Sequence, residues 1–150
     1  MPITLPRSAA YAISAMAYIA SQPRGRRCGV QEISRQQDIP ISFLGKILQL
    51  LRRQGLLRSV RGIGGGYQLA VPAEQIRLVN IVTALGESTR QDQCLLHSKA
   101  CAVENPCVLH NRLASLRSQF EEVLENTSVA DLVSDSASGG DAREKEKEPA

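Results

Sequence analysis

The stretch ISFLGKILQLLRRQGLLRSVRGIGGGYQL, residues 41–69, decides the fold. In its first half Leu44, Ile47, Leu48 and Leu51 recur at i, i+3, i+4 and i+7, the spacing of one helix face. Ser42 stands where it can cap that helix and Gly55 where it can stop it. Lys46, Gln49 and Arg53 fall on the opposite face. In the second half, Leu56–Val60 and Gly66–Val71 read as two short strands, and Arg61-Gly62-Ile63-Gly64-Gly65 between them makes a hairpin with a glycine-rich tip. Immediately upstream, Val30–Gln37 carries a short helix with Val30, Ile33 and Gln37 inward, broken by Asp38-Ile39-Pro40. A helix, a tight turn, an amphipathic second helix and a basic hairpin describe a winged helix-turn-helix.

Outward from this unit the pattern stays mainly helical. Residues 8–21 form a first helix with Ala9, Ile13, Met16, Ala17 and Ala20 on one side, ended by Pro23 and Gly25. Ile76–Leu85 forms another. From Val108 to Glu125, Leu109, Leu113, Leu116, Phe120 and Val123 or Leu124 repeat every three to four residues. That long C-terminal helix is too one-sided to close on so small a body, which points to a partner chain. A last short helix covers 129–133. The segment from Ser134 is Ser/Gly-rich, then charged, with no apolar face, and reads as a disordered tail over 134–150. The organisation is thus one domain, 1–133, followed by that tail.

Charge sharpens the functional reading. The whole chain carries a net charge of only +3 over 150 residues. Residues 1–71 hold ten Lys/Arg and two Asp/Glu, a net +8; residues 72–133 hold five and eight, a net −3; residues 134–150 hold three and five, a net −2. A basic half on a helix-turn-helix pattern points to double-stranded DNA. An ordinary solvated face is the competing explanation, and so large a bias argues against it. The candidate contacts are Ser42, Lys46, Gln49, Arg52 and Arg53 on the helix, and Ser59, Arg61, Gly62 and Gly64 on the hairpin, with Arg58 beside them. Helix residues of this kind can reach base edges and phosphates, and an arginine on the wing can lie along the backbone or enter the minor groove. Five aromatic residues are too few for a single-strand stacking platform. The glycine run lacks the Lys-Ser/Thr and the following helix of a phosphate loop, since a strand pattern follows it instead. No apolar run is long enough to span a membrane, the N-terminal apolar stretch makes a poor signal peptide, and the expected location is the cytoplasm.

The cysteines carry the second motif. Cys28 stands apart and reads as a small buried hydrophobe. Cys94-x6-Cys101-x5-Cys107-x2-His110 offers three thiolates and an imidazole, enough for one tetrahedral metal or for the terminal ligands of an iron–sulfur cluster. Structural zinc favours tighter Cys pairs, so the wide spacing suits a larger cluster. His97 is the rival nitrogen ligand, and His110 is favoured by its place one turn beyond Cys107. Zinc, and thiols without metal, are the alternatives. No catalytic Ser/His/Asp or Cys/His set stands outside the cluster, so no enzyme is expected.

Several of these residues resemble one family, the Rrf-type bacterial winged-helix transcription regulators. The resemblance runs over residues 3–133 and rests on Tyr11-Ala12-Ile13 with Ala15-Met16, on Ile33-Ser34, on Ile41-Ser42-Phe43-Leu44, and above all on Gly55-Leu56-Leu57 through Ser59-Val60-Arg61-Gly62, Gly64-Gly65-Gly66-Tyr67 and Leu69. It implies a homodimer built on crossed long helices and a wing Arg61 in the minor groove. It further implies an iron–sulfur cluster on Cys94, Cys101 and Cys107 within a 91–110 ligand loop, and a DNA-binding repressor that senses iron, redox or cluster status at an operator. The fourth ligand separates subtypes. His110 matches the IscR-like arrangement, which implies a 2Fe-2S rather than a 4Fe-4S cluster. The nitric oxide-sensing subtype uses an N-terminal acidic residue, and Ser8-Ala9-Ala10 has none. Two departures stand out: the first cysteine gap is six residues where five is common, and Gly45 replaces a glutamate of the recognition helix.

Overall fold

The computed structural model describes residues 5–87 and 108–138. The order of elements is α1 (Arg7–Ser21), α2 (Val30–Gln37), α3 (Ile41–Arg53), β1 (Leu57–Val60), β2 (Gly66–Leu69), a short 3-10 turn (Ala73–Gln75), α4 (Leu78–Ala84), α5 (His110–Asn126) and α6 (Val129–Ser138). The fold is mainly α, a winged helix-turn-helix with one small hairpin.

Helix α1 is the hub. It packs against α2, α3, α4, α6 and β2, so it is enclosed on several sides rather than one. Its alanines permit this, because small side chains let neighbouring helices approach closely. The deepest positions are therefore Ala9, Ala12, Ala15, Met16 and Ile19, whereas Ile13, Ala17 and Ala20 of the expected stripe are half-buried. Helix α2 ends where Asp38 takes a left-handed conformation, φ 53°, the only positive φ outside glycine among the described residues. Helix α3 then starts earlier than Ser42 suggests. The Phe43 and Leu44 amides both donate to the Pro40 carbonyl, at 3.1 and 3.0 Å, so Pro40 is the N-cap and Ser42 lies exposed inside the first turn without a capping bond. Leu44, Ile47, Leu48 and Leu51 are all buried, as their spacing predicts.

The hairpin pairs antiparallel in the register Leu57↔Leu69 to Val60↔Gly66. Cys28 adds a further bridge on the free side of β2, exchanging backbone hydrogen bonds with Tyr67 at 2.8 Å each way, and is fully buried. Two glycines are required here. A Cβ on Gly65 would sit 2.2 Å from the Val60 carbonyl oxygen. Gly66 has φ +144°, and a Cβ there would sit 2.6 Å from the Cys28 carbonyl oxygen.

The C-terminal helices are tied to this body by a second bridge, Arg77↔Ser128. The Leu78 amide donates to Thr127 and the Val129 amide to Ile76, at 3.0 and 2.9 Å. Extended backbone at Ile76 and Arg77 therefore replaces the first turn of the helix expected from residue 76. Helix α6 is longer than the expected 129–133 and runs through Ser138, so the first five residues of the expected tail are helical. Its start is a capping box: the Ser128 amide donates to Asp131 Oδ2 at 2.8 Å and the Asp131 amide to Ser128 Oγ at 3.2 Å. These bonds hold the Asp131 carboxyl below its ordinary range, mainly through the Ser128 amide. Among the described residues no helix is long and apolar enough to cross a membrane.

Candidate nucleic-acid interface and ligand helix

The outer face of α3 follows from its inner one. With four apolar side chains buried, Ser42, Lys46, Gln49 and Arg53, spaced i, i+4, i+7 and i+11, point away from the body and are exposed. Arg52 is exposed on the flank. On the hairpin, Arg58, Arg61, Gly62 and Gly64 are exposed, while Ser59 is half-buried opposite Tyr67. The tip is a tight turn closed by the Gly65 amide donating to the Gly62 carbonyl at 3.0 Å, with Ile63 fully exposed at its apex. Among the described residues Lys46, Arg52, Arg53, Arg58 and Arg61 form no ion pair, so their charge is available to a partner.

The basic connection behaves differently. Arg26 bonds Glu32 at 2.5 Å, and Tyr18 donates to the same carboxylate at 2.8 Å. The guanidinium holds the Glu32 carboxyl below its ordinary range. Burial, followed by the hydrogen bond to Glu32, raises the Tyr18 hydroxyl. Burial also raises the Cys28 thiol, which is inert in that state. This part of the arginine run is a structural clasp between α1 and α2, which the sequence reading did not identify.

Of the expected cluster ligands, Cys94, Cys101 and Cys107 lie outside the described residues, as does His97. His110 is the first residue of α5, and its Nδ1 is buried with no hydrogen-bond partner among the described residues. A buried imidazole nitrogen left unpaired is costly, and coordination to a metal is one way of satisfying it. The donor chemistry at the start of α5 therefore fits a ligand role. A carboxylate also approaches the N-terminal turn of α1, where Ser8 Oγ donates to Glu87.

Helix α5 buries only Leu124. Its expected apolar stripe is half-covered at Leu109, Leu113 and Phe120 and exposed at Leu116 (47%) and Val123 (57%).

Fold and surface together define a winged-helix DNA-binding regulator. The chain belongs to the Rrf2 family, described as an iron-dependent transcriptional regulator, which it matches over residues 5–135. It is 33% identical over 123 residues to the HTH-type transcriptional regulator IscR of Yersinia pseudotuberculosis, covering 82% of this chain and 74% of that protein. Two solved structures share the fold: CymR, the global cysteine regulator of B. subtilis, with a TM-score of 0.72 at 23% identity over 87% of this chain and 96% of that one, and T. potens IscR, with 0.70 at 24% over 92% and 93%. The family and these relatives are transcription regulators, not enzymes.

Proposed function

We propose that this chain is a cytoplasmic, homodimeric repressor whose operator affinity depends on an iron–sulfur cluster, of the 2Fe-2S type, held by Cys94, Cys101, Cys107 and His110. The observation that carries the cluster reading is the buried Nδ1 of His110 at the head of α5, which has no hydrogen-bond partner among the described residues. The relative named IscR and the iron-dependent description of the family support it. Such a cluster supplies sensitivity to iron supply, oxidants and nitric oxide.

The chain's own residues do the rest. Ser42, Lys46, Gln49, Arg52 and Arg53 contact the major groove and its phosphates. Ser59, Arg61, Gly62 and Gly64 contact the adjoining backbone, with Arg61 in the minor groove. The exposed stripe of α5, with Leu116 and Val123 at its centre, packs against its copy in a second chain. His110 opens that helix, and α5 packs against α4 and is pinned at its far end by the Arg77–Ser128 bridge. Ligation or its loss at His110 would thereby reach the spacing of the two winged units and become a difference in DNA affinity.

Anaerobic purification with iron, sulfide and zinc analysis tests the proposal. The expected result is two irons and two sulfides per chain with a visible chromophore, diminished in His110→Ala. One zinc per chain, or no metal with all three thiols free to alkylate, contradicts it.

A further inference from the structure

Of the five aromatic side chains only Phe43 is exposed, at 57%, while Tyr11, Tyr18, Tyr67 and Phe120 are half-buried. It cannot turn into the core, because Leu44, Ile47, Leu48 and Leu51 already fix the rotation of α3. It lies in the first turn of that helix, the part of a recognition helix that meets base edges. Leu50, one heptad on, continues the same strip and is also exposed, and Lys46 lies between them with Arg53 further along. An apolar strip set into a cationic face has a complementary surface in the major groove, where phosphates flank the C5-methyl groups of thymines. We propose that Phe43 is a specificity-determining residue that packs its ring against a thymine methyl in each operator half-site. This rests on the DNA-binding reading of α3 given above.

The test uses the full-length anaerobic protein and a duplex that it selects from a random-sequence pool. The duplex is resynthesised with each thymine replaced in turn by uracil, which removes only the methyl group. Wild-type protein is expected to bind about fourfold more weakly when the contacted thymine is replaced, the worth of one buried methyl-sized group. Its salt dependence should stay unchanged, because no phosphate contact is altered. Phe43→Ala should bind the thymine and uracil duplexes equally, and Phe43→Leu should retain part of the preference. Either variant should melt close to wild type, since the side chain is exposed. Equal binding of every uracil duplex by wild-type protein overturns the inference, as does full discrimination in Phe43→Ala. A change of oligomeric state in Phe43→Ala without DNA would assign the strip to a protein contact instead, and also overturns it. Failure to select any duplex would sink the DNA-binding reading itself, and this inference with it.

Discussion

Helices α3 and α5 are both long and amphipathic, yet they end up in opposite circumstances. Helix α3 has 13 residues and buries four large side chains within its own chain; α5 has 17 and buries one. The first is held by a core that α1 gathers around itself. The second is held at its C-terminal end by Leu124 and the Arg77–Ser128 bridge, and shows solvent much of its apolar stripe. The charge follows the same division, +8 over residues 1–71 and −3 over 72–133. A basic helix packed into its own core is thus joined to a helix that leaves much of its apolar stripe exposed, as the proposed homodimer requires.

That contrast can be broken most forcefully at the cores. Leu48→Ala should cost about 2–5 kcal/mol, the range for a truncated core leucine, at any protein concentration in urea unfolding. Leu116→Ala should lower stability in a way that depends on concentration, because in the proposed homodimer its burial comes from a partner. A concentration-independent loss for Leu116→Ala would remove the distinction. Next in size, the pair Leu116→Glu and Val123→Glu should yield monomers with a folded winged unit and at least about 100-fold weaker operator binding, since two linked sites become separate ones. Sedimentation and fluorescence anisotropy read both effects. On the reader itself, Arg61→Ala should lower the slope of log K against log salt by about 0.9, the contribution of one phosphate contact. An unchanged slope would place the wing away from the DNA.

The smallest effect concerns the junction of the two regions. The Asp131 carboxyl is depressed in the folded chain, so its contribution to stability is complete above the ordinary carboxyl range. It is lost as pH falls through the lower folded value. Thermal melts should therefore separate wild type from Asp131→Asn above the ordinary carboxyl range and draw together as pH falls below it. Parallel curves would mean that the capping box does not hold α6.

Much of this architecture was legible because it is local. The i, i+3, i+4, i+7 run of α3 has one solution, and the glycines of the hairpin announce a turn that no other residue fits at Gly65 and Gly66. Helix α1 was harder, because a helix enclosed on several sides has no single face, and choosing Ile13 and Ala20 over Ala12 and Ile19 followed from assuming one. The N-cap of α3 was misplaced because Ser42 has the right chemistry, but the left-handed Asp38 delivers the chain at Pro40. The Arg77–Ser128 bridge joins segments about fifty residues apart and has no local sign, although Ser128 and Asp131 carry the spacing of a capping box. Of the candidate site, the cationic faces were readable from charge, whereas the exposure of Phe43 follows only from the rotation that Leu44, Ile47, Leu48 and Leu51 impose on α3.

The proposed ligation at His110 and the three cysteines would set DNA affinity. It is tested most directly by measuring operator binding of one anaerobic preparation before and after its iron is removed, with iron and sulfide counted in both. Two irons and two sulfides per chain are expected at the start, and at least a tenfold change in affinity on their loss, about 1.4 kcal/mol of coupling. An iron-free protein, or an affinity that does not change when the iron is gone, would contradict it.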